Sequence, residues 1–265
     1  MLNLLPILHE EPDFLVVNKP AGLLVHPDKY SAAAGQTSVA ELLLEQFPEL
    51  TKIGVHPPSS SPPSLESGET FPPFATQGED KGGGQRGGIV HRLDREASGL
   101  LVVARTPAMY DSLIQQFAEH TIKKEYTVLV YGQMKDDSGT IDLPLQRYRD
   151  KARMYATKNP DINRPAYDAI THWELLEQYP KCALLKITTE TGRLHQIRVH
   201  LAHLARPVVG EANYTVSKQT HSGVPKLDRL FLHASLLGFT DLAGKWQEFT
   251  CKLPEELETF LRRIK

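Results

Sequence analysis

The sequence has few cysteines, no long apolar run and no large excess of charge of either sign. Its two cysteines, Cys182 and Cys251, lie far apart, so the sequence predicts neither a disulfide framework nor a cysteine-based metal site. Such sparse use of cysteine is typical of reducing compartments. No apolar stretch approaches the roughly 20 residues of a membrane-spanning helix, and the N-terminal residues lack the features of a signal peptide. We therefore expect a cytoplasmic protein that makes no membrane contact.

The formal net charge of −2 does not by itself indicate a protein that binds nucleic acid. The distribution of basic residues is more informative, because a nearly neutral protein can still carry one basic face. Basic side chains are concentrated at Arg92 and Arg95, Lys123 and Lys124, Arg147–Arg153, and Arg193–Arg206. Such clusters are also typical of ordinary solvent-exposed surfaces, so charge alone leaves both interpretations open.

One segment, Pro57–Gly88, differs in composition from the rest of the chain. It contains six prolines and seven glycines and has little apolar surface to bury, which is typical of disordered segments. We predict a low-complexity, disordered insertion, and the composition favours a tolerated spacer over a functional element.

Apolar patterns elsewhere predict both strands and helices. The unbroken apolar run Leu100–Ala104 predicts a buried strand preceded by a turn at Ser98-Gly99. Ser38 and Glu41 have the spacing of a capping box, and Thr106-Pro107 is typical of a helix start. Further strands are predicted at Ile7–Leu8, Phe14–Val17, Tyr126–Val130, Tyr167–Leu176, Ala183–Thr188, Leu232–Phe239 and Lys245–Cys251. Further helices are predicted with Leu194, Ile197, Leu201 and Leu204, and with Leu257, Phe260, Leu261 and Ile264, on one face. Because short strands outnumber helices, we predict an α+β fold with a mixed, mainly antiparallel sheet and packed helices.

The segment Gly88–Arg105 is the centre of the functional interpretation. An apolar pair leads into the letters HRLD at residues 91–94, and the buried strand follows a few residues later. We therefore expect a polar loop with Arg92, Asp94 and Arg95 between two buried segments, where a rigid scaffold can hold functional side chains. Taken alone, Asp94 indicates a turn-capping residue more often than a catalytic carboxylate.

The letters HRLD followed by SGLL resemble the catalytic motif of RluA-type RNA pseudouridine synthases, in which HRLD and two further residues precede TSG. Ala97 stands where the family has Thr. Three other segments resemble family motifs: NKPAGLLVHP at residues 18–27, Lys124-Glu125-Tyr126 for a Lys-x-Tyr pattern, and TGRLHQIR at residues 191–198. Glu211 and Tyr214-Thr215 stand where the family usually has Asp and Tyr-Gly. The resemblance covers nearly the whole chain apart from Pro57–Gly88.

The resemblance implies the pseudouridine synthase fold, one catalytic domain over residues 1–265, and no appended N-terminal RNA-binding domain. The implied reaction breaks the bond between ribose and a uracil nitrogen, turns the base and rejoins it through a ring carbon. Because this isomerisation is redox-neutral, it requires neither a cofactor nor a metal in principle. The expected partner is a ribosomal or transfer RNA, and we expect a monomer.

Three residues carry the implied catalysis. Asp94 is the candidate carboxylate, either as a nucleophile at the anomeric carbon or as a base that removes the neighbouring ribose proton. A carboxylate in a dry pocket stays ionised only beside a cation, and the resemblance places Arg193 against Asp94. Tyr126 is the candidate that stacks on the flipped uracil, although the pattern alone also fits a tyrosine in a strand core.

RNA contacts are expected around these residues. The target base has to leave its stack, which costs a few kcal/mol, and Arg92 is a candidate to hold the RNA or fill the vacated space. His91, Lys19, His195 and Arg198 are further candidate RNA-binding residues. The alternative interpretation of Lys19 is a surface lysine, and that of Arg193 is a phosphate-binding or surface arginine.

Two other classes of protein and a metal site compete with this interpretation. A non-catalytic RNA-binding module on the same fold is disfavoured because Asp94, Tyr126 and Arg193 are all present. A glycoside hydrolase needs a second carboxylate across the sugar, and only Glu96 lies close in sequence. His195, His200 and His203 lack the HExxH spacing of a zinc site, so no metal is predicted.

Overall fold

A computed structural model describes residues 4–27, 36–54, 87–148, 153–215 and 223–265. The chain forms two compact units. The first unit comprises Met1–Ile122 and Leu237–Thr250, and the second comprises Lys123–Leu236 and Cys251–Lys265. Strand β11 (Leu232–Thr240) contributes residues to both. The single catalytic domain predicted over residues 1–265 stays a prediction.

The first unit contains a largely antiparallel sheet and two α-helices in its described part. Its strands are β1 (Ile7–Glu10), β2 (Phe14–Lys19), β3 (Ser98–Ala104) and β12 (Trp246–Thr250), and its helices are α1 (Val39–Gln46), a short 3₁₀ helix (Pro48–Lys52) and α2 (Pro107–Ala118). The strand order is β1-β2-β3-β11, and β12 pairs with β11. The pairs β1–β2 and β2–β3 are antiparallel.

Local sequence signals account for the elements of the first unit. All seven residues of β3 are buried, as an unbroken apolar run predicts. The Ser38 hydroxyl accepts from the Glu41 N–H and the Glu41 carboxylate accepts from the Ser38 N–H, which completes the predicted capping box. Gly88 has a φ of 75°, and a Cβ there would lie 1.9 Å from the Ala104 carbonyl oxygen. Glycine is therefore required where the chain enters the segment before residues 91–94.

The second unit is built on the strand order β11-β4-β10-β9-β5, and a small separate sheet has the order β7-β6-β8. Its strands are β4 (Lys123–Tyr131), β5 (Ser138–Asp142), β6 (Leu145–Arg147), β7 (Met154–Ala156), β8 (Ala166–Tyr167), β9 (Ile170–Gln178) and β10 (Cys182–Thr189). Its helices are α3 (Gln196–His203) and α4 (Glu255–Ile264). The pairs β4–β10, β9–β10 and β5–β9 are antiparallel.

One face of β4 contributes to the core of the second unit. Leu129 and Tyr131 lie two residues apart, so their side chains point to the same side of the sheet, where they pack in one cluster with Leu257 and Phe260 of α4. The alternate residues Lys124 and Tyr126 occupy the opposite face of the strand and are half-buried. Both faces of β4 are buried from Val128 to Tyr131, and the polar residues lie in the first half of the strand, from Lys123 to Thr127.

The predicted α+β architecture with a mainly antiparallel sheet is confirmed. Two local predictions are wrong. The turn predicted at Ser98-Gly99 lies at Arg95-Glu96, and Ser98 and Gly99 begin β3. The helix predicted to include Leu194 begins at Gln196, so Leu194 precedes α3. The predicted disorder of Pro57–Gly88 lies outside the described residues except at Gly87 and Gly88, which form a buried turn. In the part of the chain that is described, no helix is long and apolar enough to cross a membrane.

Candidate active site

The loop with Asp94 connects two buried segments of the first unit. Ile89 and Val90 before it are buried, as is β3 after it. Arg92 is exposed and Asp94 is half-buried. The Asp94 carbonyl oxygen accepts a hydrogen bond from the Ala97 N–H at 3.1 Å, which closes the turn that leads into β3. A polar loop is thus held at both ends by the apolar core, as the sequence predicts.

Lys19 ties the first family motif to this loop. Its side chain is completely buried at the end of β2. Its ammonium group donates to the carbonyl oxygens of Pro20, Leu23 and Arg95 at 2.9, 2.7 and 3.1 Å. The Arg95 carbonyl also accepts from the Gly22 N–H at 2.7 Å. The RNA contact predicted for Lys19 does not fit this burial, and its contacts give it a positioning role, since three carbonyl dipoles converge on a desolvated cation.

His91 is also held within the first unit. Its Nε2 accepts a hydrogen bond from the Val102 N–H at 3.0 Å, so this nitrogen carries no proton. Its ring stacks on Phe117 of α2, with the ring centroids 4.8 Å apart. These contacts anchor the start of the HRLD loop to β3 and α2, and they leave Arg92 as the exposed basic residue between His91 and Asp94.

In the second unit, Lys124 and Tyr126 lie on one face of β4, close to the turn that carries Arg193. A Cβ placed on Gly192 would lie 4.0 Å from the Lys124 Nζ. Burial of the Lys124 side chain and the positive charge of Arg193 lower the pKa of Lys124 to about 8. Two cationic side chains therefore lie close enough to raise each other's electrostatic energy.

Arg193 is fixed by several groups around its turn. Its Nε donates to the Asp168 carbonyl oxygen at 3.0 Å, and its guanidinium lies over the Tyr167 ring, 5.8 Å from the centroid. Its backbone N–H donates to the buried Gln196 Oε1 at 3.0 Å. The Gln196 Nε2 in turn donates to the Ile170 carbonyl oxygen at 2.9 Å. An amide has both donors and an acceptor, so Gln196 joins the arginine turn to β9.

His195 has an unusual backbone conformation directly before α3. Its φ of 55° lies in the left-handed region, which is uncommon for a residue other than glycine. Its Nδ1 lies 2.7 Å from the Tyr214 hydroxyl, which accepts from the Met154 N–H at 3.1 Å. The Tyr214 hydroxyl still has its own hydrogen, which it can donate to Nδ1. The RNA contact predicted for His195 stays a prediction, and its side chain has a structural contact as well.

Arg198 forms a buried ion pair with Glu211. The Nε–Oε2 and Nη2–Oε1 distances are 2.7 and 2.8 Å, and the two side chains are 2% and 0% exposed. Burial raises the pKa of Glu211, but the Arg198 guanidinium and the N–H groups of Asn213 and Tyr214 outweigh it and lower the pKa below its usual value. The direct RNA contact predicted for Arg198 is inconsistent with its burial.

The buried His200 has a structural environment. Its Nε2 lies 3.0 Å from the Leu143 carbonyl oxygen and its Nδ1 lies 2.9 Å from the Thr171 hydroxyl. The carbonyl can only accept, so Nε2 carries the proton. Burial lowers the pKa of His200, and the hydrogen bond to the Leu143 carbonyl opposes this effect only in part. Among the described residues, no three or more His, Cys, Asp or Glu side chains form a group that could hold a metal ion.

The structure brings part of the predicted site together. Arg193 lies near Lys124 on the face of β4 that carries Tyr126, whereas Asp94 and Arg92 belong to the first unit, so the pairing of Asp94 with Arg193 stays a prediction. The sequence interpretation did not identify Gln196 or Tyr214 as positioning residues. Gln196 lies within the TGRLHQIR motif, so the motif itself could have indicated its positioning role. For Tyr214, the only signal in the sequence was its approximate match to a family position.

Comparisons with known proteins agree with these motifs. A family model described as RNA pseudouridylate synthase matches residues 13–203. A Chloroflexus aurantiacus protein named uncharacterized RNA pseudouridine synthase is 39% identical over 249 residues, covering 93% of this chain and 65% of the relative. Ribosomal large subunit pseudouridine synthase D of Zymomonas mobilis is 32% identical over 267 residues, covering 98% of this chain and 73% of the relative.

A solved structure shows the same fold. Human RNA pseudouridylate synthase domain containing 4 has a TM-score of 0.68 at 22% identity, covering 98% of this chain and 92% of that one. This likeness confirms the predicted pseudouridine synthase fold. The family-model match extends over well more than half of the sequence and includes all of the motif segments from Asn18 to Arg198. The chain therefore belongs to the RNA pseudouridylate synthase family of isomerases.

Proposed function

We propose that this protein converts a uridine in structured RNA to pseudouridine, with Asp94, Tyr126 and Arg193 as its catalytic residues. The observation that carries the proposal is the presence of all three residues at the matching positions of three separate family motifs. The contacts of the loops support it, because the segments with Asp94 and Arg193 are each fixed by buried groups, Lys19 and Gln196 respectively. Fixed loops are what a preorganised site requires.

Asp94 begins the reaction in this proposal. Its carboxylate either bonds to the anomeric carbon while the bond from C1′ to uracil N1 breaks, or takes the C2′ proton while the same bond breaks. In both routes the electron pair of the broken bond stays on the base. Arg193 keeps the carboxylate ionised by pairing with it, and the resemblance of both motifs to the family supports this pairing.

Tyr126 has two roles in the proposed reaction. Its ring stacks on the extruded uracil, and its hydroxyl assists the removal of the proton from the newly attached ring carbon. Tyr126 is half-buried in the first, polar half of β4, two residues after Lys124 and two residues before the buried Val128, and this partial exposure supports a substrate contact. Arg92, exposed beside Asp94, contacts the RNA backbone or fills the space that the base leaves.

The proposed substrate is the RNA of the large ribosomal subunit. The support is the name of the Zymomonas mobilis relative, a ribosomal large subunit pseudouridine synthase, at 32% identity over 98% of this chain. The reaction is redox-neutral, so we propose that it proceeds without a cofactor and in the presence of a chelator.

The test of the proposed substrate is a map of pseudouridines in ribosomal and transfer RNA from cells with and without the gene. We expect one or a few sites in the large-subunit RNA to be lost on deletion and restored by the intact gene, but not by the Asp94→Asn variant. Loss from transfer RNA alone would refute the ribosomal assignment. Restoration by Asp94→Asn would instead support the alternative of a non-catalytic RNA-binding module.

A further inference from the structure

The small sheet β7-β6-β8 of the second unit presents different residues on its two faces. On one face, Leu145 of β6 and Met154 of β7 are buried in a hydrophobic cluster of that unit. Gln146 lies opposite Tyr155 in the register, so these two side chains share the other face. Tyr148 follows Gln146 by two residues, and its ring contacts that of Tyr155, with the ring centroids 4.8 Å apart. The outer face of the sheet therefore carries an aromatic pair.

A buried glutamine holds this aromatic pair in place. The Gln146 Oε1 accepts from the Tyr155 hydroxyl at 2.8 Å and from the Asp161 N–H at 2.9 Å. Its Nε2 donates to the carbonyl oxygens of Asp161 and Arg164 at 3.0 and 3.2 Å. An amide side chain has two donor hydrogens and an oxygen with two acceptor sites, so all four positions are filled. Gln146 thus fixes Tyr155, and the fixed ring of Tyr155 supports Tyr148.

The ring of Tyr148 is accessible to another molecule. Tyr148 is 48% exposed, although it packs against Tyr155 on one side. A tyrosine has few rotatable bonds, so a ring that is already supported loses little conformational freedom when a second aromatic group stacks on it. Single exposed apolar side chains are common on protein surfaces. The exposure of Tyr148 therefore indicates a binding surface only together with the charge around it.

The surroundings of Tyr148 are basic, whereas the chain as a whole has a formal net charge of −2. In the described residues 145–148 and 153–167, four side chains are basic and one is acidic, which gives a net charge of +3. The basic residues are Arg147, Arg153, Lys158 and Arg164, and the acidic residue is Asp161. Positive charge attracts the phosphates of a single strand, and an aromatic ring among basic residues is typical of surfaces on which unpaired bases stack.

The small sheet is joined directly to the turn that carries Arg193. Leu145 of β6 pairs with Tyr167 of β8, and the Arg193 guanidinium lies over the Tyr167 ring. Tyr148 follows Leu145 by three residues, about 10 Å at the rise of a strand. Since Tyr148 lies on the outer face and at this distance, it is suited to a nucleotide near the target uridine and not to the target itself.

We propose that the Tyr148 ring stacks on an unpaired base that flanks the target uridine in the substrate RNA, while the positive charge around it attracts the adjoining phosphates. This surface rests on the proposed pseudouridine synthase function, and it makes single-stranded RNA beside the target a part of the substrate. Every base has a face on which a ring can stack. The contact therefore contributes affinity and position on the RNA, and it does not select the identity of the base.

The test separates stacking on a base from attraction to phosphates. The two probes are a short oligoadenosine, which contains no target uridine, and an abasic RNA of the same length, which has the same phosphates and no bases. Tyr148→Ala removes the ring, and Tyr148→Phe keeps it. Lys158→Ala removes one exposed charge from the same region. Leu8→Ala is the matched control, because Leu8 is 47% exposed and belongs to the first unit.

We expect Tyr148→Ala to weaken binding of oligoadenosine by about 5–150-fold, as loss of one stacking contact does, and to leave binding of abasic RNA within about twofold. Tyr148→Phe and Leu8→Ala should bind both probes within about twofold of the unmodified protein. Lys158→Ala should weaken both probes by the same factor, and its salt dependence should be shallower by up to about 0.7 in the logarithmic slope. Affinities are measured by filter binding over a range of salt concentrations.

A second measurement uses large-subunit ribosomal RNA, the proposed substrate, in single-turnover assays. Tyr148→Ala should raise the enzyme concentration that gives half of the maximal rate, by a factor comparable to its loss of affinity for oligoadenosine. Its rate at saturating enzyme should stay within about twofold of the parent rate, because Tyr148 holds the flanking RNA and does not touch the reacting atoms. A lowered rate at saturation with an unchanged half-maximal concentration would overturn the proposal.

The binding comparison gives a clear result in every case. Equal binding of the two probes by the unmodified protein, or an equal effect of Tyr148→Ala on both, would overturn the proposal. If Tyr148→Ala unfolds, Tyr148→Trp decides: oligoadenosine should quench the added indole fluorescence and abasic RNA should not, and an unquenched indole would overturn the stacking role. An unmodified protein that makes no pseudouridine overturns the proposed function itself, whereas binding of oligoadenosine is measured independently of that activity.

Discussion

Removal of one partner from the buried pair of Arg198 and Glu211 should destabilise the protein by a measurable amount. Glu211→Gln keeps the size of the side chain but removes its charge, and its NH₂ group replaces an oxygen that faced the guanidinium. With the two side chains 2% and 0% exposed, the Arg198 cation would stay buried without a counterion. Breaking one partner of such a pair costs about 3–5 kcal/mol. Since Gln retains one acceptor, we expect about 3 kcal/mol.

The assay is urea unfolding followed by circular dichroism at pH 7, with Glu174→Gln as the matched control. Glu174 pairs with Lys186 at 2.6 Å, but the two side chains are 54% and 36% exposed, so its loss should cost below about 1 kcal/mol. The double variant Arg198→Met, Glu211→Leu should be less destabilised than the sum of the two single variants, because it leaves no unpaired charge.

The sign of the pH dependence follows from the lowered pKa of Glu211. The pair contributes fully above the pKa of an unfolded glutamate, and the contribution is lost as pH falls through the lower pKa of the folded state. Equal destabilisation by Glu211→Gln and Glu174→Gln would refute the argument and would return Arg198 to the set of candidate RNA ligands.

Three further predictions concern Lys19, His233 and Tyr126. Lys19→Met should lower the thermal unfolding temperature and the single-turnover rate but leave RNA affinity within a few fold, because the buried ammonium holds the Asp94 loop; a selective loss of affinity in a filter-binding assay would contradict this. Burial lowers the pKa of His233 to about 4, so the unfolded state binds more protons between about pH 6.5 and 4, and stability should fall by about 3 kcal/mol over that range. Urea titrations at the two ends of that pH range should show that His233→Gln loses less stability between them than the unmodified protein does. An unchanged pH dependence in the variant would refute the low pKa of His233. Tyr126→Phe should keep RNA affinity and lose at least about 10²-fold in single-turnover rate, whereas Tyr126→Ala should also lose about 1–3 kcal/mol of binding; a Phe variant as fast as the parent would show the hydroxyl to be idle.

Much of the fold follows from local patterns in the sequence. The buried strand β3 comes from a continuous apolar run, and the starts of α1 and α2 come from side chains within four residues of each helix end. These signals are local because a cap or an apolar run is satisfied by neighbours in the chain. The turn before β3 was misplaced because Ser98 and Gly99 are also good turn formers, and the pairing of Gly99 with Lys19 of β2 outweighs that preference.

The roles of the basic residues in the candidate site are harder to predict than the fold, because the sequence does not distinguish a buried basic residue from an exposed one. Lys19 binds a carbonyl that lies 76 positions away, at Arg95, and Arg198 binds a carboxylate 13 positions away, at Glu211. A sequence pattern shows that a residue is basic, but the partner that buries it comes from tertiary structure. Two of the five predicted RNA ligands are buried inside the protein for this reason.

The most direct test of the central claim uses purified protein and RNA labelled with tritium at C5 of uridine. Pseudouridine formation replaces the C5 hydrogen with the ribose, so each turnover releases one tritium to water. We expect the unmodified protein to release it from large-subunit ribosomal RNA, and Asp94→Asn to release none while it binds that RNA within a few fold as tightly. Tritium release by Asp94→Asn at a rate close to that of the unmodified protein would contradict the catalytic role of Asp94.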